Sequence, residues 1–387
     1  MLLKRLTALL LTLCLLFTAF TVLGEDVVIT IIGDEEDTES EYDEDTAASA
    51  AQDLTEEEQA AMDAIAALLG EEEEGVEVDV SELELAEDLP SNVVNILLLG
   101  IDNRSVELET GRSDAIMICS INTDTGAVKL TSFARDTAVT IPGYKNTCPI
   151  NNAFKYGSKK GDMDAGARLA MRTINRNFHM NLQYYVVVNI YGLASIIEAL
   201  GGVDIELTKA EAKEINNQLF KVEPMRENGW DYGRLEQVDG VQHLDGMQAT
   251  TYGRIRHLTG QNDINRNQRQ RKMIEAVVAK VMEGMDLMKF LDVVATALPY
   301  GITNLTLSDL TTLGLAVLKG EAMDSLTSGG EVFAQFGIPM EGQYGYRTFT
   351  VSGSEKSLVY ISENRLNTTL TAWFEFLYEG AYTYQAD

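Results

Sequence analysis

Hydrophobic and polar positions fall into blocks along this chain, and each block predicts an element. Leu6–Leu23 is apolar apart from threonines and Cys14, and at 1.5 Å per residue it would span roughly 27 Å as a helix, about the hydrocarbon thickness of a bilayer. Lys4 and Arg5 precede it and acids follow it from Glu25, so the pattern predicts an inside N-terminus and an exported remainder. Residues 1–24 are thus read as a transmembrane anchor, or as a signal peptide cleaved near Val22-Leu23-Gly24. Residues 25–89 carry 26 acids and no Lys or Arg. Such a run repels itself and predicts a solvated linker. Within it, Thr55-Glu56-Glu57-Glu58 is a capping-box pattern ahead of an apolar stretch that stops at Gly70, so a short amphipathic helix is expected there.

A different rhythm begins near Val93. The runs 94–100, 115–121 and 127–133 are apolar and short enough for strands buried on both faces. Helical spacing follows over 164–178, then a β-branched strand over 184–190, a helix over 192–200 stopped by Gly201-Gly202, and a strand over 203–207. Further helical patterns occupy 244–251, 265–282 and 307–318. Strands alternating with helices predict an α/β/α sandwich on a mixed central sheet, with a main domain over 90–285 and its C-terminal part over 286–387.

Composition narrows the function. The chain has 387 residues and a formal charge of −30. Beyond the acidic run, 34 acids face 28 bases. No basic footprint remains to release counterions from a phosphate backbone, so nucleic acid is excluded as a partner. Cys14, Cys119 and Cys148 are too few for a disulfide scaffold and lack zinc spacing. Cys119 reads as a small core residue, and Cys148 as an exposed thiol with pairing to Cys119 left open. His179, His243 and His257 are isolated, which suits surface or hydrogen-bonding roles.

Candidate chemistry gathers where strands end, because ligands of open α/β sheets bind outside the strand tips. Asp102 and Arg104 follow the first strand, Arg112 and Asp114 precede the second, and Arg135 and Asp136 follow the third. Carboxylates from separate loops suit a hard divalent cation, and guanidiniums beside them suit phosphate oxygens. Singly, each couple also fits a structural ion pair. A fourth cluster is denser: Arg254 and Arg256 alternate in Tyr252-Gly253-Arg254-Ile255-Arg256, and Arg266, Arg269 and Gln270 form one stripe at the opening of the next helix. Arginine there opposes the helix dipole, which points to a bound anion.

These motifs, taken together, resemble a known family. Asn95-Ile-Leu-Leu-Leu-Gly-Ile-Asp102, Gly111-Arg-Ser-Asp114, Phe133-Ala-Arg-Asp-Thr137, Ile150-Asn-Asn-Ala-Phe154, Ala199-Leu-Gly-Gly-Val-Asp204, Gly246-Met-Gln-Ala249, Tyr252-Gly-Arg-Ile-Arg256 and Asp263-Ile-Asn-Arg266 with Arg269-Gln270 are similar, in order, to those of the LytR-CpsA-Psr family. The resemblance implies a membrane-anchored, single-pass protein whose catalytic domain is extracytoplasmic. It implies transfer of a glycopolymer phosphate from a polyprenyl-pyrophosphate carrier to a peptidoglycan sugar hydroxyl, with magnesium as cofactor. On this chain Asp102 and Asp114 would hold Mg2+. Arg112, Arg135, Arg254, Arg256, Arg266 and Gln270, with Arg104 beside them, would grip the pyrophosphate. The catalytic set would be Asp102, Arg135, Asp136, Arg254 and Arg256, with Asp136 orienting an arginine or taking the acceptor proton. An apolar tunnel for the lipid would run beside the helices at 165–178 and 273–282. A departure stands at Cys148-Pro149, where the family often carries a lysine; Lys155 is the nearest substitute. Two other readings stay open: a non-catalytic, membrane-anchored binder or regulator of anionic lipid-linked polymers, and a lipid pyrophosphatase.

Overall fold

The computed structural model describes residues 80–101, 108–219, 233–255 and 334–385, together with scattered positions from 258 to 316. The predicted N-terminal anchor, most of the acidic linker and the helix expected after Thr55 lie outside these residues. No helix among the described residues is long and apolar enough to cross a membrane.

A six-stranded mixed sheet forms the centre. Its strands are β1 (Val93–Ile101), β2 (Ser113–Asn122), β3 (Val128–Phe133), β6 (Tyr184–Asn189), β9 (Gly301–Thr303) and β10 (Ala334–Ile338), in the order β10-β3-β2-β1-β6-β9. β2 pairs antiparallel with both β1 and β3, whereas β1–β6 and β3–β10 are parallel. β1, β3, β6 and β10 therefore end on the same edge, and β2 starts there. Ile101, Ser113 and Asn189 are partners in register at that edge.

The sheet is covered on both faces, which is why its strands read as unbroken apolar runs. Leu97, Leu99, Ile116, Ile118 and Val187 enter a core with α1 (Asn152–Gly157), α2 (Met163–Phe178) and the C-terminal α6 (Glu363–Tyr378), through Phe154, Met171, Trp373 and Phe374. On the other face Val188 lies against Gly192 of α3 (Ile190–Ala199). That layer continues through β7 (Val203–Leu207), α4 (Lys209–Leu219), β8 (Gly240–Leu244) and α5 (Gly246–Gly253), with β7 and β8 paired antiparallel. Two hairpins sit beside the main sheet: β4 (Ala138–Thr140) with β5 (Thr147–Pro149), and β11 (Gly345–Val351) with β12 (Ser354–Tyr360).

Two expectations need correction, and one open alternative is settled. The acid run assigns residues 80–89 to the linker, yet they belong to the folded body. Leu83 is 1% exposed, Glu84 is clamped by Arg172 and Arg176 of α2, and Asp88 bonds His179 and Tyr382. Apolar Leu83 and Leu89 override the repulsion of their acidic neighbours, because those acids find cationic and phenolic partners. Cys148 is buried rather than exposed, its Sγ lying against the Asn146 carbonyl and the Tyr156 hydroxyl. Cys119 and Cys148 are both free thiols.

Candidate functional site at the strand tips

The strand-tip edge gathers the polar clusters that precede β2 and follow β3. Ile101 is the last described residue of β1, and Asp102 and Arg104 lie outside the described residues. At the start of β2, Asp114 reaches across to the residue after Ala134: Arg135 Nη1 stands 3.6 Å from Asp114 Oδ1, with the two side chains 25% and 19% exposed. Asp136 Oδ2 stands 3.8 Å from Arg135 Nε and is more open to solvent. The sheet thus joins Asp114 and Arg135, 21 residues apart in sequence, as the strand order requires.

The turn that carries Arg135 is held by its own backbone. The Thr137 N–H and hydroxyl both donate to the Ala134 carbonyl, the Asn151 N–H donates to the Arg135 carbonyl, and the Val359 N–H donates to the Asp136 carbonyl. The turn's own bonds and two other chain segments therefore hold it, and the guanidinium emerges from a braced base. Arg112 is exposed, and its Nε donates to Oδ1 of the buried Asn152 at 3.1 Å. That bond orients the guanidinium, and neither Nη group has a partner among the described residues. Asn151 and Asn152 fall within a motif read from the sequence, which assigns neither of them a role. Asn152 orients Arg112. Asn151 Oδ1 and Ser113 Oγ are buried with no hydrogen-bond partner, an uncommon state for groups that cost energy to strip of water.

The second arginine cluster divides. Arg254 caps the C-terminus of α5 and its N–H donates to the Thr251 carbonyl. That helix starts with a complete capping box, in which Asp245 accepts from the Gln248 N–H and the Gln248 side chain accepts from the Asp245 N–H. Burial raises the Asp245 carboxyl above its ordinary range. Arg256, Arg266 and Gln270 lie outside the described residues. Arg269 is described, and it does not face solvent or an external anion. It is 3% exposed, its Nε bonds Glu211 Oε1 at 2.8 Å, and its Nη1 donates to the Ile255 carbonyl at 3.0 Å. The stripe read as one anion grip therefore holds at least one internal brace. Glu211, which sits 58 residues away and supplies the opposite charge, cannot be seen from helical spacing alone.

A magnesium ion needs several hard oxygen donors. Asp114 is such a donor at the strand-tip edge, but no group of three or more His, Cys, Asp or Glu poised for a metal occurs among the described residues. Asp102, the second carboxylate expected in such a site, lies outside them.

Family comparison decides the lineage. The family model described as LytR_cpsA_psr family matches residues 51–358. The chain belongs to the LytR-CpsA-Psr family. Among curated relatives, a polyisoprenyl-teichoic acid–peptidoglycan teichoic acid transferase TagU of Enterococcus faecalis is 31% identical over 222 residues, 57% of this chain and 64% of that protein. The TagU of Oceanobacillus iheyensis is 34% identical over 187 residues, 48% of this chain and 51% of its own length. The chain thus aligns with somewhat under two thirds of these relatives. Among solved structures, TagT bound to LI-WTA is 20% identical with a TM-score of 0.48, covering 76% of this chain and 95% of that one. Bacillus subtilis TagV is 18% identical with a TM-score of 0.48, covering 75% and 98%. Membership agrees with the order of the motifs along the sequence.

Proposed function

We propose that this LytR-CpsA-Psr protein is an extracytoplasmic phosphotransferase, held at the membrane by its N-terminal apolar run. It would move a glycopolymer phosphate from a polyprenyl-pyrophosphate carrier to a peptidoglycan sugar hydroxyl. The observation that carries this reading is the approach of Arg135 to Asp114 at 3.6 Å across the strand tips, with Arg112, two residues before Asp114, oriented by Asn152. Curated relatives named as teichoic acid transferases support the same reaction class.

Phosphoryl transfer asks an enzyme mainly for positioning and charge neutralisation. The acceptor hydroxyl oxygen forms a bond to the glycosyl-linked phosphorus, the bond from that phosphorus to the bridging oxygen breaks, and polyprenyl phosphate leaves. Arg112, Arg135 and Arg254, with Arg104, Arg256, Arg266 and Gln270, bind the non-bridging oxygens. Asp136 orients Arg135 or takes the acceptor proton. Magnesium, held by Asp114 and Asp102, would supply further positive charge to the diphosphate.

Incubating the full-length chain with a lipid-linked glycopolymer, peptidoglycan and magnesium tests the proposal. Transfer of polymer to peptidoglycan is expected, with Arg135→Ala slowing it by about 100-fold or more, the usual scale for removing one transition-state donor. Asp114→Asn is expected to weaken its dependence on magnesium. Binding without turnover would favour a non-catalytic role, and phosphate release without transfer would indicate a pyrophosphatase.

A further inference from the structure

Residues 137–161 contain four lysines and not one Asp or Glu, in a chain whose net charge is −30. Within this stretch the rings of Tyr144 and Tyr156 stack at 4.4 Å between centroids and 25° between planes. Lys159 Nζ lies 5.2 Å from the Tyr144 centroid and 4.5 Å from that of Tyr156, and donates to the Tyr144 hydroxyl at 3.4 Å. Tyr144 is 37% exposed, an unusual position for a large aromatic with a stacked partner. No carboxylate pairs with Lys145, Lys155, Lys159 or Lys160 among the described residues.

The group is built onto the strand-tip site, not merely near it. Asn152, whose Oδ1 holds Arg112, donates through Nδ2 to the Tyr156 hydroxyl at 3.4 Å. The Thr110 hydroxyl, two residues before Arg112, donates to the Ser158 carbonyl next to Lys159. The loop is rigid as well. The Tyr144 N–H donates to the Ile141 carbonyl across Pro142-Gly143, and Gly143 has φ +82°, as position three of a type II turn demands. A Cβ on Gly157 would stand 2.4 Å from the Ala165 carbonyl oxygen, so α1 is pressed directly onto α2.

We propose that Tyr144, Tyr156 and Lys159 form a subsite for an anionic saccharide, adjoining the arginines of the strand-tip site. Aromatic rings pack against the C–H faces of a pyranose, and an ammonium fixed over such rings keeps two N–H donors for a charged substituent. Lys145, Lys155 and Lys160 raise the local concentration of the anion. The assignment rests on the phosphotransferase reading for what occupies the neighbouring arginines. It adds that the sugar beside the diphosphate, or the sugar that attacks it, carries negative charge.

Isothermal titration of the full-length chain with N-acetylglucosamine, N-acetylglucosamine 1-phosphate and N-acetylmuramic acid tests the subsite. Both halves of the proposal predict that a charged sugar binds at least tenfold tighter than the neutral one. Lys159→Gln is expected to abolish that difference, and Tyr144→Ala to weaken all three sugars by about tenfold. Both side chains are at the surface, and a thermal melt confirms that each variant folds. Preference for the phosphate would place the donor polymer at the subsite, and preference for the carboxylate would place the acceptor there. Equal binding of charged and neutral sugars, or charged-sugar binding that survives in both variants, overturns the proposal. A parallel titration of the wild type with geranyl pyrophosphate keeps the two claims separate, since its failure sinks the diphosphate reading while the sugar titrations still decide the subsite.

Discussion

Arg269 and Glu211 meet at 2.8 Å inside the protein, with side chains 3% and 10% exposed, and the same guanidinium holds the Ile255 carbonyl. Glu211 is itself engaged on its far oxygen by the Thr208 N–H and hydroxyl, both at 2.9 Å. A continuous polar link therefore runs from the start of α4 to the backbone between Arg254 and Arg256. Breaking one side of a buried pair strands the other charge, at a cost of about 3–5 kcal/mol.

Arg269→Met is expected to lower stability by that order, read as a drop in the denaturant midpoint. Arg269→Lys should recover part of the loss, because an ammonium can face Glu211 but cannot also reach the Ile255 carbonyl with a planar fork. If the brace acts by setting Arg254, the effect of Arg269→Lys on transfer will shrink in an Arg254→Ala background. Fully additive effects on the rate would show that Arg269 serves stability alone.

Acid should loosen the N-terminal approach to the domain. The Arg176 guanidinium, aided by that of Arg172, holds the Glu84 carboxyl below its ordinary range despite some burial. The Tyr382 hydroxyl and then His179 do the same for Asp88. A depressed carboxyl stabilises the fold fully above its unfolded pKa and loses that contribution as pH falls through the folded one. Amide exchange in residues 80–89 is therefore expected to rise below about pH 4, ahead of the sheet. Glu84→Gln with Asp88→Asn should remove this acid step, and a step unchanged in that double variant would refute the assignment. Glu84 is half-buried and Asp88 exposed, and both contact only the segment's own neighbours, so the effect is local.

How much of this could be read from the chain follows from where each signal lies. β1, β2 and β7 were legible because burial on both faces, or strict alternation, writes a strand into a few consecutive residues. α4 was not: in Lys209–Leu219 only Ala212, Ile215 and Leu219 are buried apolar positions, so its helical stripe is thin. β8 and the β11–β12 hairpin are hard to read for a related reason, since few of their residues are buried and no apolar face repeats along them. At the site, Arg112, Asp114 and Arg135 stood out as polar groups against apolar strands, and the strand order accounts for the meeting of Asp114 with Arg135. Asn152 and the Arg269–Glu211 pair depend on long-range partners, which no local pattern reports.

Glycine at position 246 provides a last check on how Arg254 is carried. A Cβ there would fall 1.8 Å from the Ala194 carbonyl oxygen and 2.6 Å from its carbon, both backbone atoms of α3. Neither can swing aside, so Gly246→Ala must push α5 away from α3. Overpacking of this kind costs about 1–3 kcal/mol. Gly143 is the useful contrast, because a Cβ there meets nothing within 4 Å and only its φ of +82° resists substitution. Gly143→Ala should therefore cost about 1 kcal/mol from backbone strain alone. Gly246→Ala should lower the melting temperature further and also weaken binding of geranyl pyrophosphate, since α5 ends at Arg254. A Gly246→Ala variant as stable as the wild type would mean that the α3–α5 contact is looser than the structure shows, and that Arg254 is held from elsewhere.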